Sequence, residues 1–276
     1  MSEPLEFRVA GIALAAAAVS DVGLKRRHNE DAVLALPSVY IVADGMGGYE
    51  AGDQASAAVV EAFRSVAEGR ELLTLELLRD ALELADDGVA AVADGTARGA
   101  GSTVAGAAIV ELDGVPHWVI FNVGDSRVYR QFGGLLQQIT VDHSLGQELY
   151  AAGRISAEEL AVFPDRNVIT RAIGALDAEA DSWVTPVRNG ERLLLCSDGL
   201  STEVPDELIR STLASGAPDA VADELVALAK RSGGRDNVSV IVVEVRSGGA
   251  DFDAEAIELT DAEGDPFLLE TTVPVD

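Results

Sequence analysis

Aromatic residues are scarce. They make up 5% of the 276 residues, while 48% are hydrophobic, so any core must be built from Ala, Val, Leu and Ile. The single cysteine, Cys196, excludes an internal disulfide and fits a reducing compartment. The three histidines, His28, His117 and His143, are too few and too dispersed for a His-rich zinc site. Positive charge is sparse as well: 20 Lys and Arg stand against 47 Asp and Glu, for a formal net charge of −27. A surface of that sign repels polyanions and argues against nucleic acid as a partner. It still permits work on phosphate groups, provided cations stand between the carboxylates and the phosphate. No apolar run is long enough to span a bilayer. The alanine-rich segment 9–19 follows Glu3 and Glu6 with only Arg8 to balance them, the wrong charge for an export signal. It reads as a buried strand, and the chain as a cytoplasmic monomer with no membrane partner.

Short apolar runs punctuated by turn residues recur along the chain. Residues 39–43 end in Asp44-Gly45. Residues 102–112 lead through Asp113-Gly114, a hairpin signal, into 118–123. Residues 128–132 precede Gly133-Gly134, 192–197 end in Asp198-Gly199, and 238–245 close the series. Helical spacing appears at Leu75, Leu78, Leu82, Ala85, Val89 and Val92, again over 54–66, and over 217–230 with Pro218 in the first turn. Strands joined by hairpins favour antiparallel sheets, with helices covering their outer faces. Residues 1–246 show no repeat or linker and read as one domain. Residues 247–276 differ: nine carboxylates and no Lys or Arg make an acidic tail that is expected to be disordered, with Phe267-Leu268-Leu269 its only apolar cluster.

Five acidic clusters follow or end apolar strands: Asn29-Glu30-Asp31, Asp44-Gly45, Asp125 in Gly124-Asp125-Ser126-Arg127, Ser197-Asp198-Gly199 and Asp236-Asn237. One Asp-Gly alone is a turn. Several at the ends of buried strands would be costly without cations. Hard divalent ions such as Mg²⁺ and Mn²⁺ take such oxygen ligands, and glycine leaves a backbone carbonyl open to an ion. Other phosphatase chemistries fit poorly. A cysteine nucleophile needs an arginine six positions on, where this chain has Thr202. The only Asp-x-Asp, Asp251/Asp253, lies in the tail, and the glycines at 45–48 lack the lysine and hydroxyl residue of a phosphate-cradling loop.

Eight stretches in this order resemble the bacterial metal-dependent type-2C (PPM-type) serine/threonine protein phosphatases. They are residues 26–31 (RRHNED), 43–48 (ADGMGG), 101–104 (GSTV), 122–127 (NVGDSR), 142–144 (DHS), 169–174 (ITRAIG), 195–200 (LCSDGL) and 235–238 (RDNV). The resemblance covers roughly 9–246 and implies an α+β fold: a four-layer α-β-β-α sandwich, two antiparallel β-sheets flanked by helices, with a two-metal site at one end. It implies that Asp44 bridges two divalent cations, Mn²⁺ or Mg²⁺, and that the Gly45 carbonyl joins one of them. Glu30, Asp198 and Asp236 match the other ligands. Asp31 matches a carboxylate that orients water at the metals, and Arg26 matches the arginine that holds the substrate phosphate. On chemistry alone Arg27 competes for that role; the four-residue step to Glu30 favours Arg26 by resemblance.

The implied activity is hydrolysis of phosphoserine and phosphothreonine in proteins, opposing a bacterial Ser/Thr kinase. A non-catalytic phosphoprotein-binding module and a small-phosphoester hydrolase are the alternatives; retention of Glu30, Asp44, Asp198 and Asp236 favours the enzyme. Two departures stand out. Where relatives with a third metal carry an aspartate, this chain has Thr202, so a third site at Asp125 is expected to be weak or altered, with Glu203 a possible substitute. The insert 145–167 matches the flap of bacterial relatives, a surface lid suited to substrate choice, in which Leu145, Gly153, Phe163 and Arg166 are the residues of interest. Phe163 stands where many relatives have histidine. His143, inside Asp142-His143-Ser144, reads as a structural hydrogen-bonding residue.

Overall fold

The computed structural model describes residues 4–47, 51–97, 99–166, 168–176 and 178–251. Gly48, Asn167 and the tail from 252, including Phe267-Leu268-Leu269, lie outside the described residues.

Two antiparallel sheets stack face to face. The first has the order β1 (Leu5–Val9), β2 (Ile12–Asp21), β12 (Val238–Ser247), β11 (Arg192–Cys196), β8 (Arg127–Phe132), β9 (Leu135–Gln138). The second runs β10 (Asp181–Pro186), β7 (Val115–Val123), β6 (Val104–Leu112), β4 (Val39–Gly47), β3 (Asp31–Leu36), and the short β5 (Ala100–Ser102) pairs with the end of β4. Helices α1 (Ala51–Ala67) and α2 (Leu75–Asp94) cover the second sheet. On the first lie α6 (Asp206–Leu213) and α7 (Pro218–Ser232), with the single turn α5 (Asp198–Ser201) between β11 and α6. Two small helices, α3 (Leu145–Ala151) and α4 (Ala157–Ala161), form the flap.

Three apolar layers match the three interfaces of this sandwich. Alternate residues of one strand enter different layers, as a two-residue side-chain period requires. On β4, Val39, Ile41 and Ala43 face α1 and α2, while Tyr40 and Val42 face the other sheet. On β11, Leu193 and Leu195 point between the sheets, and Leu194 and Cys196 point towards α6 and α7. Central strands buried on both faces therefore read as unbroken apolar runs. Between the sheets Trp118 and Tyr40 meet edge-on at 6.2 Å. Beneath α1, Phe63 stacks on Phe121 at 5.2 Å, and Gly106 leaves room for the Phe121 ring.

The alanine-rich segment supplies the end of β1, a tight turn and most of β2, which sits between β1 and β12. Asp113-Gly114 makes the expected two-residue hairpin, both residues at positive φ. Ala10-Gly11 makes another by the same geometry. At the end of the sandwich away from the acidic clusters, buried Glu191 accepts hydrogen bonds from Arg130 Nε (2.7 Å), Trp118 Nε1 (2.8 Å) and the Arg188 backbone (2.7 Å). These donors satisfy a carboxylate that the core would otherwise penalise. The folded unit extends past residue 246. The Ala250 amide donates to the Val187 carbonyl at 2.7 Å, and Asn189 bonds to Gly249 and Asp251. Among the described residues no helix is long and apolar enough to cross a membrane.

Candidate active site

Antiparallel pairing brings the acidic clusters to one end of the sandwich. Asp31 opens β3 and Asp44 lies near the end of β4, and the two are register partners. Ser197 and Asp198 follow β11, Asp236 and Asn237 precede β12, and Asp125 follows β7. The Asp44 backbone is clamped: its N–H donates to Thr103 Oγ1 (3.0 Å) and its carbonyl accepts from the Thr103 N–H (2.8 Å). Thr103 is in turn fixed by Ser126 at 2.7 Å. The Gly45 N–H bonds to the Glu30 carbonyl at 3.0 Å. A Cβ on Gly45 would run into the carbonyls of Gly52 and Glu30, and one on Gly52 would meet the Glu30 carboxylate. Both positions therefore require glycine for the start of α1 to close against Glu30.

Polar residues hidden from solvent hold the acids. Asn237 uses its whole amide: Oδ1 accepts from the Glu30 N–H (2.9 Å), and Nδ2 donates to the carbonyls of Val22 (3.0 Å) and His28 (2.9 Å). Ser197 Oγ donates to Asp31 Oδ2 (2.8 Å) while accepting from the Ser239 N–H (3.0 Å). Asp31 Oδ1 is buried with no hydrogen-bond partner among the described residues. Arg26 bridges two acids, reaching Asp236 Oδ2 at 2.7 Å and Glu30 Oε2 at 3.5 Å. Its charge is held strongly, first by the Asp236 hydrogen bond. Arg26 and Arg27 are both exposed, and of the two it is Arg26 that makes ion pairs to the acids.

Burial, reinforced by neighbouring charges, pushes these carboxyls out of the usual acid range. Asp31 rises to about 7, Asp198 to about 6 and Asp125 to about 8, in each case first through desolvation and then through nearby aspartates. Asp44 rises for the same reasons, with Asp31, Asp198, Asp125 and Asp236 all contributing. The donor set is entirely oxygen, strongly anionic and partly orphaned, which is what hard divalent cations match. Among the described residues no three acid, imidazole or thiol side chains are drawn together tightly enough to cage an ion as they stand. The set fits cations in chemistry and location.

Glu203 is placed elsewhere. Its Oε1 accepts from Arg235 Nε at 2.8 Å and its Oε2 from Arg235 NH2 at 3.0 Å, and that pairing lowers its pKa. Both oxygens face Arg235, so the structure does not bring Glu203 to Asp125. Thr202 closes the α5 turn, its N–H bonded to the Asp198 carbonyl (2.8 Å). Arg127 grips Asp142 with two nitrogens, and His143 accepts from the Gly124 N–H at Nδ1 (3.1 Å), which fits its expected structural role. Cys196 is buried and its thiol is pushed up to about 12 by desolvation, so it is no nucleophile.

The flap packs over this end. Ser144 caps α3, Ser156 and Glu159 form a capping box on α4, and Gly153 at φ +65° turns the chain between them. The Leu145 N–H donates to the Val168 carbonyl at 2.8 Å and closes the flap's base. Phe163 is half-buried in the segment after α4. Between flap and α5 lies a polar cavity of about 240 Å³ lined by Arg127, Ser144, Gln147, Arg166, Ser201 and Thr202, among others. The acids were visible in the sequence because charge follows an apolar run. Asn237, Ser197, Thr103 and Ser126 stand inside the quoted motifs without a role of their own, and Ser239 stands outside them: neutral polar residues carry no spacing signal, and their partners lie up to about two hundred positions away in the chain.

Comparison with known proteins agrees with this fold. The protein phosphatase 2C family model matches residues 25–229. The serine/threonine phosphatase stp of Listeria welshimeri is 37% identical over 238 residues, covering 82% of this chain and 93% of that protein. The crystal structure of the Mycobacterium tuberculosis serine/threonine phosphatase PstP/Ppp superposes with a TM-score of 0.78 at 36% identity, covering 86% of this chain and all of that one. The catalytic domain of PstP in complex with two manganese ions gives a TM-score of 0.77 at 35% identity, covering 86% and 99%. The two antiparallel sheets with flanking helices are thus the architecture of these phosphatases, and the chain belongs to the protein phosphatase 2C family.

Proposed function

We propose that this protein hydrolyses phosphoserine and phosphothreonine in proteins, using two divalent cations, Mn²⁺ or Mg²⁺, held by Glu30, Asp44, the Gly45 carbonyl, Asp198 and Asp236. The observation that carries this reading is the convergence of those four carboxylates, from four separate parts of the chain, on the end of the sandwich where Arg26 stands. Its support includes relatives named as serine/threonine phosphatases and a relative's structure that contains two manganese ions.

Bound cations lower the pKa of water, so that hydroxide is available near neutral pH. The chain's own groups do the rest. Arg26 offers a planar set of donors to phosphate oxygens and stabilises the charge that builds on them during in-line displacement. Its hydrogen bonds to Asp236 and Glu30 aim the guanidinium at the acids. Asp31, fixed at Oδ2 by Ser197, keeps Oδ1 free to accept a proton from the attacking water. As the bond from water oxygen to phosphorus forms, the bond from phosphorus to the serine or threonine oxygen breaks, that oxygen takes up a proton from solvent water, and no phosphoenzyme is required. Asp125, beside Asp198, would hold a further ion only weakly, because Thr202 offers a hydroxyl in place of a charge.

The catalytic unit is the folded part of the chain. Its substrates are phosphoproteins, including a Ser/Thr kinase or that kinase's targets, and it works as a cytoplasmic monomer. The test is turnover of a phosphoserine peptide with and without Mn²⁺, in the wild type and in Asp44→Asn and Asp236→Asn. Both variants are expected to lose at least about a hundredfold in kcat/KM. Undiminished turnover in both would sink the two-metal mechanism, and preference for nucleotides over phosphopeptides would shift the substrate class.

A further inference from the structure

An apolar groove of about 340 Å³ runs along α2 and shares no residue with the candidate active site. One wall is the helix stripe Leu75, Leu78 and Leu82, and the floor is Val119 and Phe121 of β7. All of these belong to the core beneath α1 and α2, yet Leu75 and Leu82 stay only partly buried. Topology is the reason. β10 is the edge strand of its sheet, so no strand packs beyond it among the described residues. The second wall is left to Ala178, Ala180 and Ser182, whose short side chains do not fill the space up to α2. The rim carries Arg79 against Glu83, Asp86 and Glu179. Asp86 is already engaged, accepting the Gly174 N–H at 2.7 Å.

Apolar surface left open in this way favours any apolar side chains that fill it. The volume is at the small end of the range for binding pockets, about 300–1,000 Å³, and suits a few side chains of a peptide rather than a folded domain. The chain itself carries such side chains within reach. Its folded part ends beside β10: the Ala250 N–H donates to the Val187 carbonyl at 2.7 Å, just past the strand, and Asp251 accepts from Asn189 Nδ2 at 2.8 Å. From Val187 back along β10 to Ser182 in the groove is about 17 Å, at about 3.3 Å per residue. Phe267 comes sixteen residues after Asp251. A stretch of that length reaches at most about 55 Å, roughly three times the span.

We infer that the groove between α2 and β10 is the docking seat of this chain's own Phe267-Leu268-Leu269. Three consecutive large apolar side chains match a slot walled by leucines and floored by a valine and a phenylalanine. Tethering supplies the affinity. A segment joined through so short a linker is present at about millimolar effective concentration, so a weak apolar fit is enough to seat it. The tail of a second copy lacks that advantage, and two chains of net charge −27 repel each other. Charge does not drive the contact. Asp265 and Glu270 flank the cluster in sequence, and the three rim acids oppose them with Arg79 alone in their favour. Apolar burial therefore holds the tail against repulsion, and salt strengthens the contact by screening.

The experiment uses the full chain carrying a nitroxide on the thiol of Thr272→Cys, just past the cluster; the native Cys196 is buried. Methyl NMR signals of Leu75, Leu78 and Leu82 are expected to lose at least about half their intensity, as a segment seated about half of the time requires. The loss should persist or deepen in about 0.5 M NaCl. It should vanish when Phe267→Ser, Leu268→Ser and Leu269→Ser are combined, and again in Leu82→Glu, which sets a charge in the groove. Because the serine variant changes no residue of the folded part, its recovery of intensity is not a folding effect. Undiminished groove signals in the labelled chain, broadening that survives the serine variant, or broadening that disappears in salt would overturn the docking. Equal broadening when the nitroxide sits on a separate, isotope-unlabelled chain would overturn it in favour of a second copy. A groove that the tail leaves untouched, but whose signals shift with an added amphipathic Lys-rich peptide, would overturn it in favour of a basic partner.

Discussion

Asn237 has one side-chain acceptor and two amide hydrogens, and all three are spent on backbone groups around the acids. It joins the residue before β12 to the Glu30 amide and to the loop between β2 and β3. Asn237→Ala leaves three backbone groups short of partners at a site that is 3% exposed. At about 1 kcal/mol for each bond, the loss should be about 2–4 kcal/mol in urea denaturation. Because Glu30 is positioned through the same bonds, Mn²⁺ affinity measured by calorimetry should fall at least about tenfold. Asn237→Asp keeps the acceptor but sets an anion against two carbonyls, and it should do no better; wild-type stability in that variant would show that the amide donors carry little. The sequence showed the acids and hid their supports for a physical reason. A carboxylate after a buried strand is conspicuous wherever it later points, whereas an asparagine or serine gains meaning only from its partner. Glu203 makes the converse point: its neighbour Thr202 suggested a ligand, and the structure gives its charge to Arg235, thirty-two positions on.

At the scale of elements, the central strands were legible and the edges were not. The strands β2, β6, β7, β11 and β12 are buried on both faces and announce themselves as apolar runs. The edge strands β1, β9 and β10 have exposed or half-exposed residues at most positions, so no run marks them. The Ala10-Gly11 turn was equally silent, because alanine rarely supplies a positive φ. Where strand meets helix, glycine sets the tolerance. Gly45→Ala drives a Cβ into the Gly52 and Glu30 carbonyls, so α1 must shift away from Glu30. Activity should fall at least about a hundredfold, as misplacement of about 1 Å does in a positioned site, with circular dichroism unchanged. Gly106→Ala is the control from the same sheet. Its Cβ meets the Phe121 ring within the core beneath α1 and α2, so it should cost about 1–3 kcal/mol by overpacking while kcat is retained at low temperature. If Gly106→Ala instead abolished kcat with a full unfolding transition intact, the separation of packing from site geometry would fail.

At the scale of the molecule, charge dominates, and two kinds must be separated. The tail carries nine carboxylates, all beyond Ala250, while the acids at the end of the sandwich are few but desolvated. Truncation after Asp251 should leave the thermal midpoint within about 2 °C of wild type, because the remaining chain keeps its hydrogen bonds to Val187 and Asn189; truncation after Arg246 removes them and should lower it by about 5 °C or more. The desolvated acids make the stronger prediction. Asp31, Asp198 and Asp125 have folded pKa values near 7, 6 and 8, all above the ordinary aspartate value. The folded state therefore binds more protons than the unfolded one between about pH 4 and 8, so stability declines as pH rises through that window and the penalty is complete once the folded groups have ionised. In chelator, the unfolding midpoint should fall steadily from pH 5.5 to 8.5. Asp125→Asn should flatten the upper part of that fall, since the group titrating near 8 is gone. Added Mn²⁺ should stabilise most at the high end, where protonation no longer helps, because ions bind the ionised carboxylates of the folded chain and offset their repulsion. A midpoint in chelator that stays level or rises over this range, or an Asp125→Asn profile parallel to wild type, would mean that these acids are not held under mutual repulsion and that the convergence seen in the fold has no electrostatic consequence.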